Sequence, residues 1–291
     1  FNALQHKTPV HTEDAFKTFS DFLNTFQILL KDGTAAHCAS GDRYIKKTAQ
    51  KPDYFLPFRS KAPTFVKALL TIYSDAGRLS TPAGLFNLAA FRGVFYGSEF
   101  ARNNLQWFNT FKDWDQHYTA QKALEGKDET FFVAKNAYGP HQMHRSVDNL
   151  ASYWKVAVEK WPTHLKVDNP KRDIFKLFAF FEHNLSYVGD LAALLMVGDL
   201  VDCGFVNMPS AVDMGSLVEQ INRGAVKGLI QLGLVSPKYT KKDAAQAFAL
   251  LHQHVEETSS RDNKELMGYN PIMLEHALCK FQRIYRKRDG R

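Results

Sequence analysis

Apolar residues recur at helical spacing along most of this chain, and they hardly ever alternate as a half-buried strand requires. Between Thr12 and Leu30, residues Phe16, Phe19, Phe22, Leu23, Phe26, Leu29 and Leu30 fall on one stripe. Thr12 can cap that helix and Asp32-Gly33 stops it. Further helices are expected from Pro63 to Tyr73, from Pro82 to about Trp107, from Ser146 to Trp161, from Pro170 to Asn184 and from Ser186 to Gly204. Shorter ones follow at Val212–Asn222 and Ala225–Leu232, and Lys241–Glu257 and Pro271–Arg288 close the chain. Gly33 to Ala62 is loop-rich and long enough to hold short helices or to cover a site. The pattern weakens between Lys112 and Pro140, where Phe131–Ala134 is the best strand candidate. The expected fold is therefore all-α, an irregular multi-helix bundle with a helix-hairpin-helix-like turn. The expected organisation is a loop-rich helical region over 1–75 and a catalytic-type helical domain over 76–291, or one continuous domain.

Composition narrows the class of function. With 45% hydrophobic and 23% charged residues, the 291-residue chain reads as globular, not disordered. The longest apolar run, Leu191 to Val197, is flanked by Asp190, Asp199 and Asp202, so no membrane span is expected. Phe1 to Lys7 does not read as a secretory signal. Cys38, Cys203 and Cys279 are odd in number and widely spaced, which argues against a disulfide framework and for a reducing compartment. The net charge of +7 suits a polyanionic partner. Lys280, Arg283, Arg286, Lys287, Arg288 and Arg291 against Asp289 concentrate much of that charge at one end. This basic tail reads either as a solvated helix end or as a phosphate-backbone contact.

Three local patterns carry candidate chemistry. In Leu185-Ser186-Tyr187-Val188-Gly189-Asp190-Leu191, one helix ends, a glycine opens the turn and a second helix starts, leaving N–H groups free for a phosphate oxygen. Asp190 works against an anion there, and an ordinary tight turn is the alternative. In Asn222-Arg223-Gly224-Ala225-Val226-Lys227-Gly228-Leu229, small residues permit close approach while Arg223 and Lys227 add positive charge. The Gly-Lys-Ser/Thr ending of a Walker loop is missing, and close helix packing accounts for the glycines equally well. In Leu274-Glu275-His276-Ala277-Leu278-Cys279-Lys280-Phe281, Glu275 and Cys279 lie one turn apart on a helix. A carboxylate beside a histidine suits acid/base chemistry, and a solvent-facing pair with a structural thiol is the alternative.

Other features say less. His141 and His144 lack further ligands for a metal, His252 and His254 face different sides of a helix, and no G-x-S-x-G elbow occurs. The aromatic series Phe86, Phe91, Phe95, Tyr96, Phe100, Trp107 and Phe108 reads as core before it reads as a base-stacking platform. Arg92, within that series, is a candidate inward-facing anion ligand.

The order of three segments resembles one family. A Gly-led apolar helix, Val188-Gly189-Asp190-Leu191-Ala192 through Gly198-Asp199-Leu200, precedes the basic Arg223-Gly224-Ala225-Val226-Lys227-Gly228-Leu229 segment. A Glu-His-x-Leu-Cys helix with aromatic and basic followers, Glu275 to Arg286, closes the set. Together with Leu88-Ala89-Ala90-Phe91-Arg92-Gly93-Val94-Phe95 upstream, these are similar to the α-glutamyl/putrescinyl thymine pyrophosphorylase-like proteins of phages and some eukaryotes, related to amino acid:DNA transferases. The likeness spans roughly residues 80 to 288 in short motifs. The family has Gly-Pro-Phe where this chain has Gly189-Asp190-Leu191, and often an acidic residue at the position of Lys280.

The resemblance implies an enzyme of DNA thymine hypermodification. An amine, from a small amine or amino acid, would displace pyrophosphate from a pyrophosphorylated 5-hydroxymethyluracil base in DNA. Arg92, Arg223 and Lys227 would bind the leaving group. Asp199, Glu275 or His276 would accept the proton of the attacking amine. Gly189, Gly224, Arg283 and Arg286 would contact phosphate or DNA, with the base flipped out. A divalent cation such as Mg2+ would suit the pyrophosphate, although no metal site is legible. The implied location is cytoplasmic, in a bacterium infected by a phage that encodes the protein. Two alternatives stand beside this reading. One is a helix-hairpin-helix DNA glycosylase, with Asp213, 24 residues after Gly189, as the catalytic acid. The other is a non-catalytic DNA-binding or phage structural protein on the same scaffold.

Overall fold

The computed structural model describes residues 9–138, 141–168, 173–221 and 224–285. Among them the protein is all-α, a multi-helix bundle without strands. The helices are α1 (Pro9–Lys31), α2 (Arg43–Gln50), α3 (Pro52–Phe55), α4 (Pro63–Thr71), α5 (Pro82–Ala90), α6 (Glu99–Asn103), α7 (Phe111–Glu125), α8 (Glu129–Phe132) and α9 (Asn149–Glu159). They continue as α10 (Trp161–Asp168), α11 (Ile174–Asn184), α12 (Asp190–Asp202), α13 (Ala211–Ile221), α14 (Gly224–Gln231), α15 (Lys241–Thr258), α16 (Arg261–Met267) and α17 (Pro271–Tyr285). No described helix is long and apolar enough to cross a membrane.

The chain forms two compact units. One is built by its two ends, up to Ala62 and from Pro209 onward, and the other by Pro63–Met208. This differs from a split after residue 75. The reason lies in the α1 stripe, which finds its apolar partner at the other end of the chain. Phe19 and Phe22 meet the Phe281 ring at 5.8 and 5.3 Å, and Phe22 also meets Tyr285.

In the first unit, two helix pairs close tightly on glycines. The Gly215 face of α13 lies against Ala245 and Phe248 of α15, and the Gly228 face of α14 lies against the Leu278 carbonyl of α17. Helix axes approach this closely only where no side chain stands between them. The loop-rich Gly33–Ala62 stretch holds α2, α3 and a 3₁₀ turn at Arg59–Lys61.

In the second unit, α5 is buried on every side from Gly84 to Ala90. Three expectations change here. The helix expected from Pro82 to Trp107 breaks: a π-turn over Phe91–Phe95 is followed by Gly97 at φ +82° and a new helix capped by Ser98. The stretch after Lys112 is an ordinary helix, α7, fixed by a Thr110/Asp113 capping box. The strand candidate at Phe131–Ala134 overlaps the helical turn α8, because Phe131 and Phe132 both face inward against Phe100 instead of alternating. The aromatic series is core: Phe86, Phe91, Phe95, Phe100 and Phe108 are all buried.

The glycine contacts yield a test with a definite sign. On an open helix surface, Gly→Ala stabilises by up to about 1 kcal/mol. At Gly228 a Cβ would stand 2.6 Å from the Leu278 carbonyl oxygen, so Gly228→Ala is expected to destabilise by ~1–3 kcal/mol in urea unfolding. Gly41→Ala, where a Cβ meets open space, is expected to be neutral.

Candidate functional site

Two buried charged clusters stand out, one in each unit. In the second unit, Arg92 leaves the π-turn and meets Asp199 of α12. Its Nε and Nη2 donate to the two carboxylate oxygens, both at 2.5 Å, and Tyr73 donates its hydroxyl to Asp199 Oδ2 at 2.6 Å. Arg92 is 2% exposed and Asp199 is fully buried. The rings of Phe65, Phe91 and Tyr96 surround the guanidinium at 5.3, 5.0 and 4.6 Å. Burial opposes the Arg92 charge, and the Asp199 carboxylate outweighs it, so the guanidinium is held protonated. Burial first, and then Asp199, push the Tyr73 hydroxyl well above its ordinary range.

The geometry of the π-turn is what aims Arg92. The Tyr96 N–H bonds the Phe91 carbonyl, five residues back, at 2.7 Å. Arg145 donates to the carbonyls of Arg92, Val94 and Tyr96, and Tyr138 donates to that of Arg92. Gly93 lets Tyr153 approach closely, and the Tyr153 hydroxyl reaches the Ser186 carbonyl at 3.0 Å. Arg92 and Asp199 are thus paired with each other inside a shell of aromatic rings. Removing one partner of such a pair costs ~3–5 kcal/mol.

The α11–α12 turn differs from the expected phosphate cradle. Tyr187, not Gly189, adopts the left-handed backbone, with φ +59°. Gly189 has φ −83° and open space where a Cβ would sit, so neither conformation nor approach demands a glycine. At the start of α12, the Asp190 carboxylate accepts the Leu191 N–H at 2.8 Å and places negative charge where an anion would sit.

The second cluster lies in the first unit, on the face of α17 that meets the segment from α3 to the Arg59–Lys61 turn. Lys280 Nζ donates to the Tyr54 carbonyl at 2.8 Å, and Arg283 reaches the same oxygen at 3.3 Å. His276 Nε2 stands 3.3 Å from the Leu56 carbonyl. These contacts satisfy carbonyls that a one-turn helix and its exit leave without intrahelical partners. Glu275 is 5% exposed and lies near Arg59 and Lys280. Desolvation raises it to about 7, against the attraction of Arg59 and Lys280. Lys280 is lowered to about 7 by burial and by Arg283, against Cys279, Glu275 and Asp53. Burial and Glu275 push the Cys279 thiol up.

The remaining candidates take other places. Arg223 and Arg286, with the rest of the basic tail beyond Tyr285, lie outside the described residues. A Cβ on Gly224 would meet Cys279 Sγ, so that glycine serves the packing of α14 on α17, as Gly228 does. Lys227 is exposed. Asp213 is exposed on α13, where it accepts the Ser210 hydroxyl at 2.7 Å at the helix start. His144 stacks on the exposed Tyr187 ring at 4.9 Å. Among the described residues, no group of three or more His, Cys, Asp or Glu is arranged to hold a metal ion. Sequence reasoning missed Asp53 and Arg59, both buried charges facing α17. Their signal was the long, proline-punctuated stretch before Ala62, which reads as cover for a site without naming its charges.

The two perturbed groups give stability opposite slopes with pH. Glu275 has a folded value of about 7, above the ordinary 4.5, so its contribution is full below 4.5 and is lost as pH rises to 7. Lys280 is depressed from 10.5 to about 7, so its contribution is present above 10.5 and is lost as pH falls to 7. In urea unfolding, Glu275→Gln is expected to remove the decline between pH 4.5 and 7, and Lys280→Met the rise between pH 7 and 10.5. Parallel wild-type and variant curves would contradict both assignments.

No protein-family model, no curated protein and no solved structure matches the chain, so chemistry at these two clusters is what bears on its function.

Proposed function

We propose that the protein modifies a base in DNA, and that the Glu275 face of α17 is its acid/base centre. The proposed reaction is displacement of pyrophosphate from a pyrophosphorylated 5-hydroxymethyluracil base by a small amine or amino acid. The carbon–oxygen bond to pyrophosphate breaks, the carbon–nitrogen bond forms, and the proton of the amine passes to Glu275. The observation that carries this reading is a buried carboxyl near Arg59 and Lys280 that burial raises to about 7. Such a group is partly a carboxylate in neutral solution and basic enough to take a proton. It sits in the Glu-His-x-Leu-Cys segment on which the family resemblance rests, beside Lys280 and Arg283.

The roles of Arg92 and Asp199 differ from those the resemblance implies. Their mutual pairing in the second unit suits a structural clamp better than a pyrophosphate ligand and a free base. Lys227 and the basic tail, with Arg223 and Arg286, would meet pyrophosphate and DNA in this reading. The closure of the Arg92–Asp199 pair also favours a second reading, a DNA-binding protein without catalysis. A reducing interior, such as an infected bacterial cytoplasm, fits three free thiols.

Incubation with DNA carrying the pyrophosphorylated base and a panel of amines, followed by nucleoside mass spectrometry, separates these readings. Pyrophosphate release with an amine-mass gain is expected. Glu275→Gln is expected to lower the rate by about 10²–10⁴-fold while leaving DNA affinity unchanged. Salt-dependent binding with no mass change supports the non-catalytic reading. Abasic sites lost on Asp213→Asn would replace both with a glycosylase.

A further inference from the structure

Between Gly33 and Ala62 stand six lysines and arginines and two aspartates, so this stretch supplies +4 of the chain's net +7. Its helix α2 sorts its residues by face. Ile45, Thr48 and Ala49 are buried, while Arg43, Lys46, Lys47 and Gln50 fall at i, i+3, i+4 and i+7 on the outer side. Arg43, Lys46, Gln50 and the following Lys51 are exposed. Both aspartates of the stretch are occupied within it. Asp42 caps α2 by accepting the N–H groups of Tyr44 and Ile45 at 2.7 and 3.1 Å, and Asp53 is 5% exposed. Among the described residues, none of Arg43, Lys46 and Lys51 forms an ion pair with a carboxylate.

Two of these cations are seated on rings. Arg43 lies over Tyr44 at 4.6 Å, and Lys47 over Phe55 of α3 at 4.3 Å. A ring holds a cation in place without neutralising its charge. Arg43 with Lys47, and Lys47 with Lys51, are like-charged pairs one turn apart, an arrangement that opposes the helix. A repeating anion laid along this face relieves that repulsion.

The surroundings select the kind of polyanion. A lipid surface calls for an open apolar face beside the cations. The apolar face of α2 is spent on the core, and none of the exposed large hydrophobic side chains lies between Gly33 and Ala62. A nucleic acid needs only cations along its phosphates, and the half-buried Tyr44 and Phe55 rings suit its sugars and bases. An acidic peptide offers those rings no flat partner.

We propose that the outer face of α2, extended by Lys51, binds the phosphate backbone of a nucleic acid. The choice of DNA as that nucleic acid rests on the proposed base modification; the cationic face does not. Helix α3, whose Tyr54 carbonyl receives Lys280, joins this face to the Glu275 cluster within one unit.

The test is fluorescence anisotropy of the full chain with a labelled DNA duplex of about 20 base pairs and ordinary bases, in salt from about 50 to 200 mM. Arg43→Gln/Lys46→Gln/Lys51→Gln is expected to weaken binding at least about tenfold and to lower the slope of log affinity against log salt by about 2–3, at ~0.9 per phosphate contact. Its thermal midpoint is expected to hold or rise, since only exposed, mutually repelling charges are removed. Lys112→Gln/Lys122→Gln/Lys155→Gln takes the same charge from exposed positions of the other unit and is expected to change the slope by less than about 1. Failure of the wild type to bind DNA, equal losses in the two triple variants, or tighter binding to poly-glutamate or to phosphatidylserine vesicles would overturn the proposal. Because this DNA carries no pyrophosphorylated base, binding is read apart from turnover. The expected slope change without any amine transfer defeats the reaction alone, and amine transfer beside an unaltered slope defeats this face alone.

Discussion

Burying an ionisable carboxyl is costly, and Glu275 is 5% exposed within the packing around α17. Its nearest compensation is electrostatic, from Arg59 and Lys280, and it does not offset the loss of water. The donors in the neighbourhood are committed elsewhere. Lys280 and Arg283 point to the Tyr54 carbonyl and His276 to that of Leu56, because the short helix α3 leaves those carbonyls without helical partners. The glycines of α14 let that helix close on Cys279 and Leu278 of α17.

The second unit shows the same residue types reaching the opposite result. Asp199 is more deeply buried than Glu275, yet it receives two N–H donors from Arg92 and one hydroxyl from Tyr73. A paired charge in a low-dielectric shell is stiff and specific in position, and poorly placed to exchange a proton with a substrate. Arg145, Tyr138 and Tyr153 extend that rigidity along the π-turn to the Ser186 carbonyl. One cluster pairs its carboxylate closely with Arg92, while in the other burial raises Glu275 to about 7.

The helices were legible wherever a stripe, a cap or a stop acts locally. The α1 stripe, the Pro82 start of α5 and the last two long helices follow from such signals. The capping box of Thr110 and Asp113 was also local, and it marks a helix that the weak apolar pattern of α7 conceals. The π-turn at Phe91–Phe95 was not legible, since its cause lies in Arg145 and Tyr138, some fifty residues downstream. The pairing of α1 with α17 is likewise a contact across nearly the whole chain. For the sites, residue type pointed to Arg92, Asp199, Glu275 and His276. Spacing along the chain says nothing about which residues pack around each carboxylate, and Asp199 meets Arg92 where Glu275 lies near Arg59 and Lys280. The glycines of Gly224-Ala225-Val226-Lys227-Gly228 illustrate the same limit: a phosphate and a neighbouring helix both require small residues, and only the position of Cys279 and Leu278 tells them apart.

The most direct measurement is a carbon-13 NMR titration of the Glu275 side-chain carboxyl in the wild-type chain, assigned by its absence in Glu275→Gln. The account predicts a midpoint near 7. A midpoint in the ordinary carboxylate range, around 4.5, would show that Glu275 is solvated or paired in solution, and would contradict the proposal that it acts as the base.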